Sequence, residues 1–330
     1  MGSKKGNDWS IKEKGTHTGT ALSGIFPTRG LPSGPTVFRP GRPRTSIRLK
    51  KTGGALKSPN RKPAPELNMN SSCRHKTQSI DPLHCARMME HARSVVALTG
   101  AGISTAAGIP DFRGPRGLYV TRRYDPEKVF EVEWFRRAPQ YFYEFSHDFI
   151  ATVKTVRPTF THRFLTDLEK KGVLAGIITQ NIDMLHQLAG TRTLVELHGS
   201  YSSATCTACG RRFQGLTYTW WEKAMASSPT PPVAFCAVCH GVLKPGIVFF
   251  GEMVNGFGEA ERMVARCDLL LVLGSSLRVS PASLLPYGTE APTIVVNRGE
   301  VALTPAPNRF FIEGGLDAFC RELWHDLGTG

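Results

Sequence analysis

Val95-Val96-Ala97-Leu98-Thr99-Gly100-Ala101-Gly102-Ile103-Ser104 reads as a short apolar strand running into a glycine-rich turn and a helix start. A strand without polar alternation is buried on both faces, as strands of a parallel sheet are. Leu269-Leu270-Leu271-Val272-Leu273-Gly274-Ser275-Ser276 repeats the form. The pattern predicts strands at 95–98, 176–179, 194–197, 269–273, 293–296 and 310–312. Between them it predicts helices. One begins at the Asp81-Pro82 cap pair and runs to Ala92; another follows Pro158, with Phe160, Phe164, Leu165 and Leu168 on one face. This alternation is the α/β class, a parallel sheet with helices on both faces. Backbone amides in the turn at 100–102 are suited to hold a diphosphate.

Two C-x-x-C knuckles interrupt the alternation. Cys206-Thr207-Ala208-Cys209 and Cys236-Ala237-Val238-Cys239 are separated by 26 residues. Four thiolates in this pattern suit a tetrahedral zinc ion, and four protein ligands leave no open position, so the site is structural. Gly210 and Gly241 permit tight reversals after each knuckle, and the intervening segment 211–235 is expected to hold a helix at Trp220-Trp221. Cys236-Ala237-Val238-Cys239-His240 also matches the c-type haem string, but the first knuckle argues for zinc. Cys73, Cys85, Cys267 and Cys320 are scattered, which points to free thiols in a reducing compartment, the last three of them buried.

With 330 residues, 41% of them apolar, the chain can form one large domain and one small one. No run of 18 apolar residues occurs, so no membrane span is expected, and no secretory h-region follows the N-terminus. The net charge of +14 is concentrated in the first 80 residues, which hold 16 Lys/Arg against 3 Asp/Glu. The remaining 250 hold 25 against 24, so nucleic acid is not the expected partner of the folded part. Residues 1–80 are too polar to form a core, and a disordered basic tail is expected. It is like an organelle transit sequence, and it also has a nuclear-import-like run at Arg48-Leu49-Lys50-Lys51. The expected compartment is therefore the mitochondrial matrix or the nucleus, with the matrix preferred.

A strict dinucleotide fingerprint would have a third glycine where Thr105 stands, and no acidic residue closes a second strand, so a hydride-transfer dehydrogenase is disfavoured. Gly108-Ile109-Pro110-Asp111-Phe112-Arg113-Gly114-Pro115-Arg116-Gly117-Leu118-Tyr119 reads as a lid-like loop. Here the chain resembles the sirtuin family of NAD-dependent protein deacylases. The match continues through Thr179-Gln180-Asn181-Ile182-Asp183, His198-Gly199, the four cysteines, Lys244-Pro245-Gly246-Ile247-Val248-Phe249-Phe250-Gly251-Glu252 and Gly274-Ser275-Ser276-Leu277. It covers about residues 81–325, leaving 1–80 and 326–330 as tails.

The resemblance implies a Rossmann-like large domain with a small zinc-binding module, about 199–245, inserted. NAD and acyl-lysine would meet between them. Ala101, Gly102 and Ser104 would line the diphosphate and ribose, Phe112 would cover the nicotinamide ribose, and Arg113 would order the loop. Gln180 and Asn181 would hold the ribose and Asp183 the carboxamide of nicotinamide. Gly274, Ser275, Asn297 and Arg298 would take the adenosine half and Leu316 the adenine. Gly100, Ala107, Asp111, Tyr119, Ile182 and Ser276 complete the implied cofactor site. Val248, Phe250, Gly251, Glu252, Leu277 and Val279 would bind the substrate peptide, added as a strand between two loops.

His198 and Asn181 are the implied catalytic pair. His198 ends an apolar strand, where α/β sites form, and its imidazole titrates near neutrality. His147, His162 and His186 lack that setting, and His162 reads as helix packing. The family reaction consumes NAD: the acyl oxygen attacks C1′ as nicotinamide leaves, and His198 takes a ribose hydroxyl proton. Sirtuins that prefer succinyl or malonyl groups carry a Tyr-x-x-Arg pair. The stretch Tyr143-Glu144-Phe145-Ser146, matched to it, has serine in place of the arginine, which favours acetyl or another uncharged acyl group. The alternatives are ADP-ribosyl transfer or NAD sensing on the same fold and, more remotely, a zinc-ribbon nucleic-acid binder.

Overall fold

The structure is a computed structural model that describes residues 80–111, 117, 123–226 and 232–328. The expectations for residues 1–79, including Cys73, and for Phe112, Arg113 and Tyr119 fall outside the described residues. In chain order the large sheet is built from β1 (Val95–Thr99), β2 (Leu174–Thr179), β3 (Leu194–Glu196), β7 (Leu269–Leu273), β8 (Thr293–Asn297) and β9 (Arg309–Glu313). The smaller sheet is built from β4 (Ser203–Cys206), β5 (Arg212–Gln214) and β6 (Leu243–Pro245). The helices are α1 (Pro82–His91), α2 (Pro126–Val129), α3 (Val132–Arg137), α4 (Gln140–Val153), α5 (Phe160–Lys170), α6 (Leu185–Ala189), α7 (Tyr218–Ala226), α8 (Phe257–Ala265) and α9 (Leu316–Asp326).

The large sheet is parallel throughout, in the order β3-β2-β1-β7-β8-β9. All five residues of β1 and of β7 are buried, as apolar runs with two covered faces require. Alternate side chains go to opposite faces. Val95, Ala97, Ile177, Leu271 and Val296 join one core layer with residues of α1, α5 and α9. Val96, Leu98, Ile178, Val272 and Val295 join the other with residues of α8. The expected strands are all present, within a residue or two at each end.

Local chemistry sets the helix starts. Asp81 accepts a hydrogen bond from the His84 N–H at 2.7 Å, with Pro82 in the first turn, so α1 begins where the sequence predicts and ends at His91. Thr159 and His162 form a capping box at the start of α5. Asp317 of α9 also accepts from the N–H groups of Phe160 and Thr161, at 3.2 and 3.0 Å, and this pins α9 to the same helix end.

The smaller sheet is antiparallel, in the order β5-β4-β6. The predicted helix in the insert is α7. Trp221 is fully buried on it and donates its indole N–H to the Tyr201 carbonyl at 2.7 Å. The core of this region is continuous with α3 and α4. Phe135, Phe142, Tyr143 and Phe145 pack in one cluster with Tyr201, Cys206, Trp221, Cys236 and Phe249.

Gly199 joins the two regions. It has φ of +64°, and a Cβ there would lie 1.9 Å from the Gly246 carbonyl oxygen. Gly199→Ala combines a left-handed backbone with a backbone clash, so a loss of about 2–4 kcal/mol is expected in guanidinium unfolding. A loss of less than about 0.5 kcal/mol, the range of neutral surface changes, would contradict this packing.

Candidate active site

The strand register places the site. Thr99 lies opposite both Thr179 and Leu273, and Leu273 opposite Val296. The residues that follow these strands, Gly100, Gln180 and Gly274, with Asn297 at the end of β8, therefore stand side by side at the carboxyl edge. The chain crosses to one side of β1 for β2 and to the other for β7, so this is the switch point where α/β folds open a crevice. A crevice of about 1420 Å³ opens there.

Its floor is two interlocked turns. Gly102 donates its N–H to the Gly274 carbonyl at 2.9 Å, and Gly100 donates to the Leu273 carbonyl at 3.0 Å. A Cβ on Gly102 would lie 2.6 Å from the Gly274 Cα, and Gly274 has φ of +65°. The three glycines are thus required by the approach of one turn to the other, before any ligand is considered. The helix that follows is a 3-10 segment, Ala101–Ala107, rather than the α-helix the strand–turn–helix pattern implies.

A buried polar layer lies behind the floor. Ser104 donates to Asp183 Oδ2 at 2.6 Å, Asn181 Nδ2 donates to Ser104 Oγ at 3.3 Å, and the Leu185 N–H donates to Asp183 Oδ1 at 3.0 Å. Burial raises the Asp183 pKa, and the Ser104 and Leu185 bonds offset part of that rise. Gln180 Nε2 donates to Ser275 Oγ at 2.9 Å and ties the ends of β2 and β7 together. Deeper still, His186 Nε2 is 3.0 Å from Thr99 Oγ1, and His162 Nδ1 is 2.8 Å from Thr159 Oγ1. The two rings are 4.8 Å apart. Burial drives the His186 pKa down to about 4, so this pair is a neutral packing element.

His198 lines the crevice. Its Nδ1 lies 2.9 Å from the Gln180 carbonyl, which only accepts hydrogen bonds. Nδ1 therefore carries the proton, and in the neutral ring the Nε2 lone pair is available. Burial lowers the His198 pKa, and the Gln180 carbonyl counters part of that shift.

The opposite wall is the segment 247–252. The Phe250 N–H donates to the Phe130 carbonyl at 2.8 Å, its carbonyl accepts from Val132 at 3.1 Å, and the Val248 N–H donates to the His198 carbonyl at 2.8 Å. The backbone N–H groups of Gly251, Arg278 and Val279 have no hydrogen-bond partner among the described residues, so both loops have main-chain donors for an added strand.

Most residues named from the sequence line this crevice: Gly100, Ala101, Gly102, Asp111, Gln180, Asn181, Ile182, His198, Val248, Phe250, Gly251, Glu252, Gly274, Ser275, Ser276, Val279, Asn297, Arg298 and Leu316. Ser104, Ala107, Asp183 and Leu277 stand behind that lining. Tyr143 and Ser146, the positions matched to the Tyr-x-x-Arg pair, lie away from the lining. The Tyr143 hydroxyl donates to the Leu243 carbonyl, and Ser146 accepts from Tyr201, so both belong to the buried core and neither lines the crevice. Sequence reasoning did not single out Lys244, Arg278 or Glu300. Lys244 pairs with Glu252 at 2.9 Å, and Arg278 with Glu300 at 2.7 Å across the crevice rim.

The sulfurs of Cys206, Cys209, Cys236 and Cys239 lie within 4.8 Å of one another. A tetrahedral zinc thiolate site has sulfurs about 3.8 Å apart, so the cluster fits that ion. Backbone N–H groups, that of Cys209 foremost, lower the Cys206 thiol, whereas hydrogen bonds with the neighbouring thiols raise that of Cys239.

The comparisons agree with this geometry. Residues 100–281 match the model of the Sir2 family. The chain is 40% identical to an NAD-dependent protein deacetylase of Thermotoga maritima, over 73% of this chain and 96% of that one. It is 40% identical to an NAD-dependent protein deacylase of Aeropyrum pernix, over 68% and 86%. It superposes on a solved Sir2–p53 peptide–NAD+ complex with a TM-score of 0.67 and 34% identity, covering 76% of this chain and 100% of that one. The chain belongs to the Sir2 family.

NMR titration of the His198 ring is expected to show a Nδ1-protonated neutral tautomer with a midpoint below 6.5. A midpoint above 6.5 would mean that the carbonyl outweighs burial.

Proposed function

We propose that this protein is an NAD-dependent protein-lysine deacetylase that transfers the acetyl group to ADP-ribose and releases nicotinamide. The observation that carries the reading is His198. Its proton is held on Nδ1 by the Gln180 carbonyl, and the ring borders a crevice with a glycine-turn floor on one side and strand-adding loops on the other. The names and bound ligands of the family relatives support the same activity.

The chain's residues fit NAD. In this reading Ala101 and Gly102 line its diphosphate, with the Ala101 amide turned to it, and Gln180 and Asn181 hold the ribose next to nicotinamide. Asp183 meets the carboxamide through the polar layer with Ser104. Gly274, Ser275, Asn297, Arg298 and Leu316 take the adenosine half. When bound, NAD supplies the ribose carbon that the acyl oxygen attacks as nicotinamide leaves. His198 Nε2 then accepts a ribose hydroxyl proton, and its lowered pKa keeps it free to do so at neutral pH.

The preference for an uncharged acyl group rests on the crevice wall. Phe130, Ile182, Ile247, Val248 and Phe250 are apolar, and the only cations among the described lining residues are Arg278 and Arg298. Arg278 is paired with Glu300. Arg298 is assigned to the adenosine half, so a carboxylate on the acyl group would be desolvated there without a partner among the described residues. The cysteine module, about 199–245, is assigned a structural zinc ion. The mitochondrial matrix or the nucleus is proposed as the compartment, on the basic residues 1–80.

Mass spectrometry of an acetyl-lysine peptide with protein and NAD should detect loss of acetyl, nicotinamide release and O-acetyl-ADP-ribose. His198→Tyr should slow this by about 10²–10⁴-fold, the usual worth of a positioned base. Acetyl loss without NAD, or ADP-ribose transferred to the peptide with acetyl retained, would overturn the reading. A succinyl peptide turned over faster than an acetyl one would refute the acyl preference.

Elemental analysis should find one zinc ion per chain, and Cys236→Ser should lower the unfolding temperature along with metal content. A metal-free chain of unchanged stability would exclude a structural ion.

A further inference from the structure

We propose that Lys244 is a positioning residue for the acyl-lysine substrate, acting through a clasp with Glu252 that holds the 247–252 wall in its binding shape. The inference rests on the deacetylase reading and deepens it. Lys244 Nζ donates to Glu252 Oε2 at 2.9 Å, to the Ile247 carbonyl at 2.8 Å and to the Pro245 carbonyl at 3.4 Å. It also sits 4.4 Å from the centroid of the Phe249 ring. Glu252 Oε2 in turn accepts the Phe249 N–H at 2.9 Å. One ammonium and one carboxylate thus tie both ends of the segment and its middle.

The clasp decides which side chains face the crevice. Phe249 is 1% exposed and packs on Phe135 and Phe142, with centroids 5.2 and 5.0 Å away. In extended chain its neighbours point the other way, so anchoring Phe249 inward presents Val248 and Phe250 to the crevice, where Phe250 is 48% exposed. The Lys244 and Glu252 side chains are 19% and 28% exposed, which screens their pairing less than on an open surface. Glu252 lines the crevice, yet one of its oxygens is already shared by two donors. The engaged oxygen therefore acts on the peptide through the shape of the loop. No hydrogen bond of Lys244 or Glu252 reaches the glycine turns at 100–102 and 274, and the wall's link to His198 is the Val248 N–H to its carbonyl, so the loss falls chiefly on the peptide side and spares the cofactor floor.

The test compares Lys244→Met, Lys244→Arg, Glu252→Gln and the Lys244→Met/Glu252→Gln double variant. Lys244→Met should raise the acetyl-peptide KM about tenfold, with the NAD KM within about twofold. Lys244→Arg, which keeps the charge, should recover part of the loss. The double variant should be no worse than the worse single one, because the two residues form one unit. An unchanged peptide KM, equal rises in both KM values, or additive effects of the two substitutions would overturn the proposal. If Lys244→Met does not fold, Glu252→Gln must show the same split between the two KM values. Amide hydrogen exchange at Phe249 supplies a readout independent of turnover. Faster exchange in Lys244→Met, with α5 unchanged, supports the clasp even if the wild-type protein deacetylates no peptide, which would sink the deacetylase reading alone. Unchanged exchange at Phe249 would sink the clasp.

Discussion

The hydrogen bond from Gly102 to the Gly274 carbonyl joins the two turns on which the crevice depends. β1 and β7 are adjacent, yet the chain between them forms β2, β3 and the cysteine module before it returns. Two turns so distant in sequence meet in space with no side chain between them. Glycine at 100, 102 and 274 lets main chain contact main chain, since a methyl group at any of the three would fall within 2.7 Å of the other turn. That contact holds the carboxyl edge of the sheet open as a floor of backbone, with polar side chains from β2 arranged around it. Rossmann-like sheets place ligands at this edge for the same reason: strand ends expose amides that no further strand satisfies.

The polar layer beneath the floor turns a fold into a site. Asp183 and Ser104 are buried, and each group bonds to the next. An orphaned polar group at that depth costs about 1–3 kcal/mol, so the layer holds together as a unit or not at all. His198 is tied to the same layer through the Gln180 backbone, whose side chain reaches Ser275. The imidazole tautomer is therefore set by the geometry of a strand end and leaves Nε2 as the acceptor.

Much of this was legible in the chain. The apolar runs of β1 and β7 identified a parallel sheet because strands covered on both faces have no polar alternation. The cysteine spacing identified a four-sulfur cluster, since each C-x-x-C turn brings two sulfurs together. The helices α2–α4, α6, α8 and α9 went unassigned, although the buried positions 142, 143, 145, 146, 150 and 153 of α4 do follow a helical period. Tyr143 shows what a short match leaves open until the geometry is known. The resemblance matched it to an acyl-binding pair that lacks its arginine here, and its hydroxyl donates to the Leu243 carbonyl in the buried core. No local pattern could have revealed that α3 and α4 share a core with the cysteine module, because that packing joins segments more than fifty residues apart.

The sequence by itself determined the strands, the paired cysteines, the glycine turns and the family to which the chain belongs. These follow from local chemistry: hydrophobic runs, ligand spacing and backbone freedom. Tertiary structure alone decided which of these residues face the crevice, which stand behind it, and which nitrogen of His198 carries the proton. It also decided that Lys244 meets Glu252. Those outcomes depend on burial and on contacts between distant segments, and both exist only once the sheet has brought its strand ends into line.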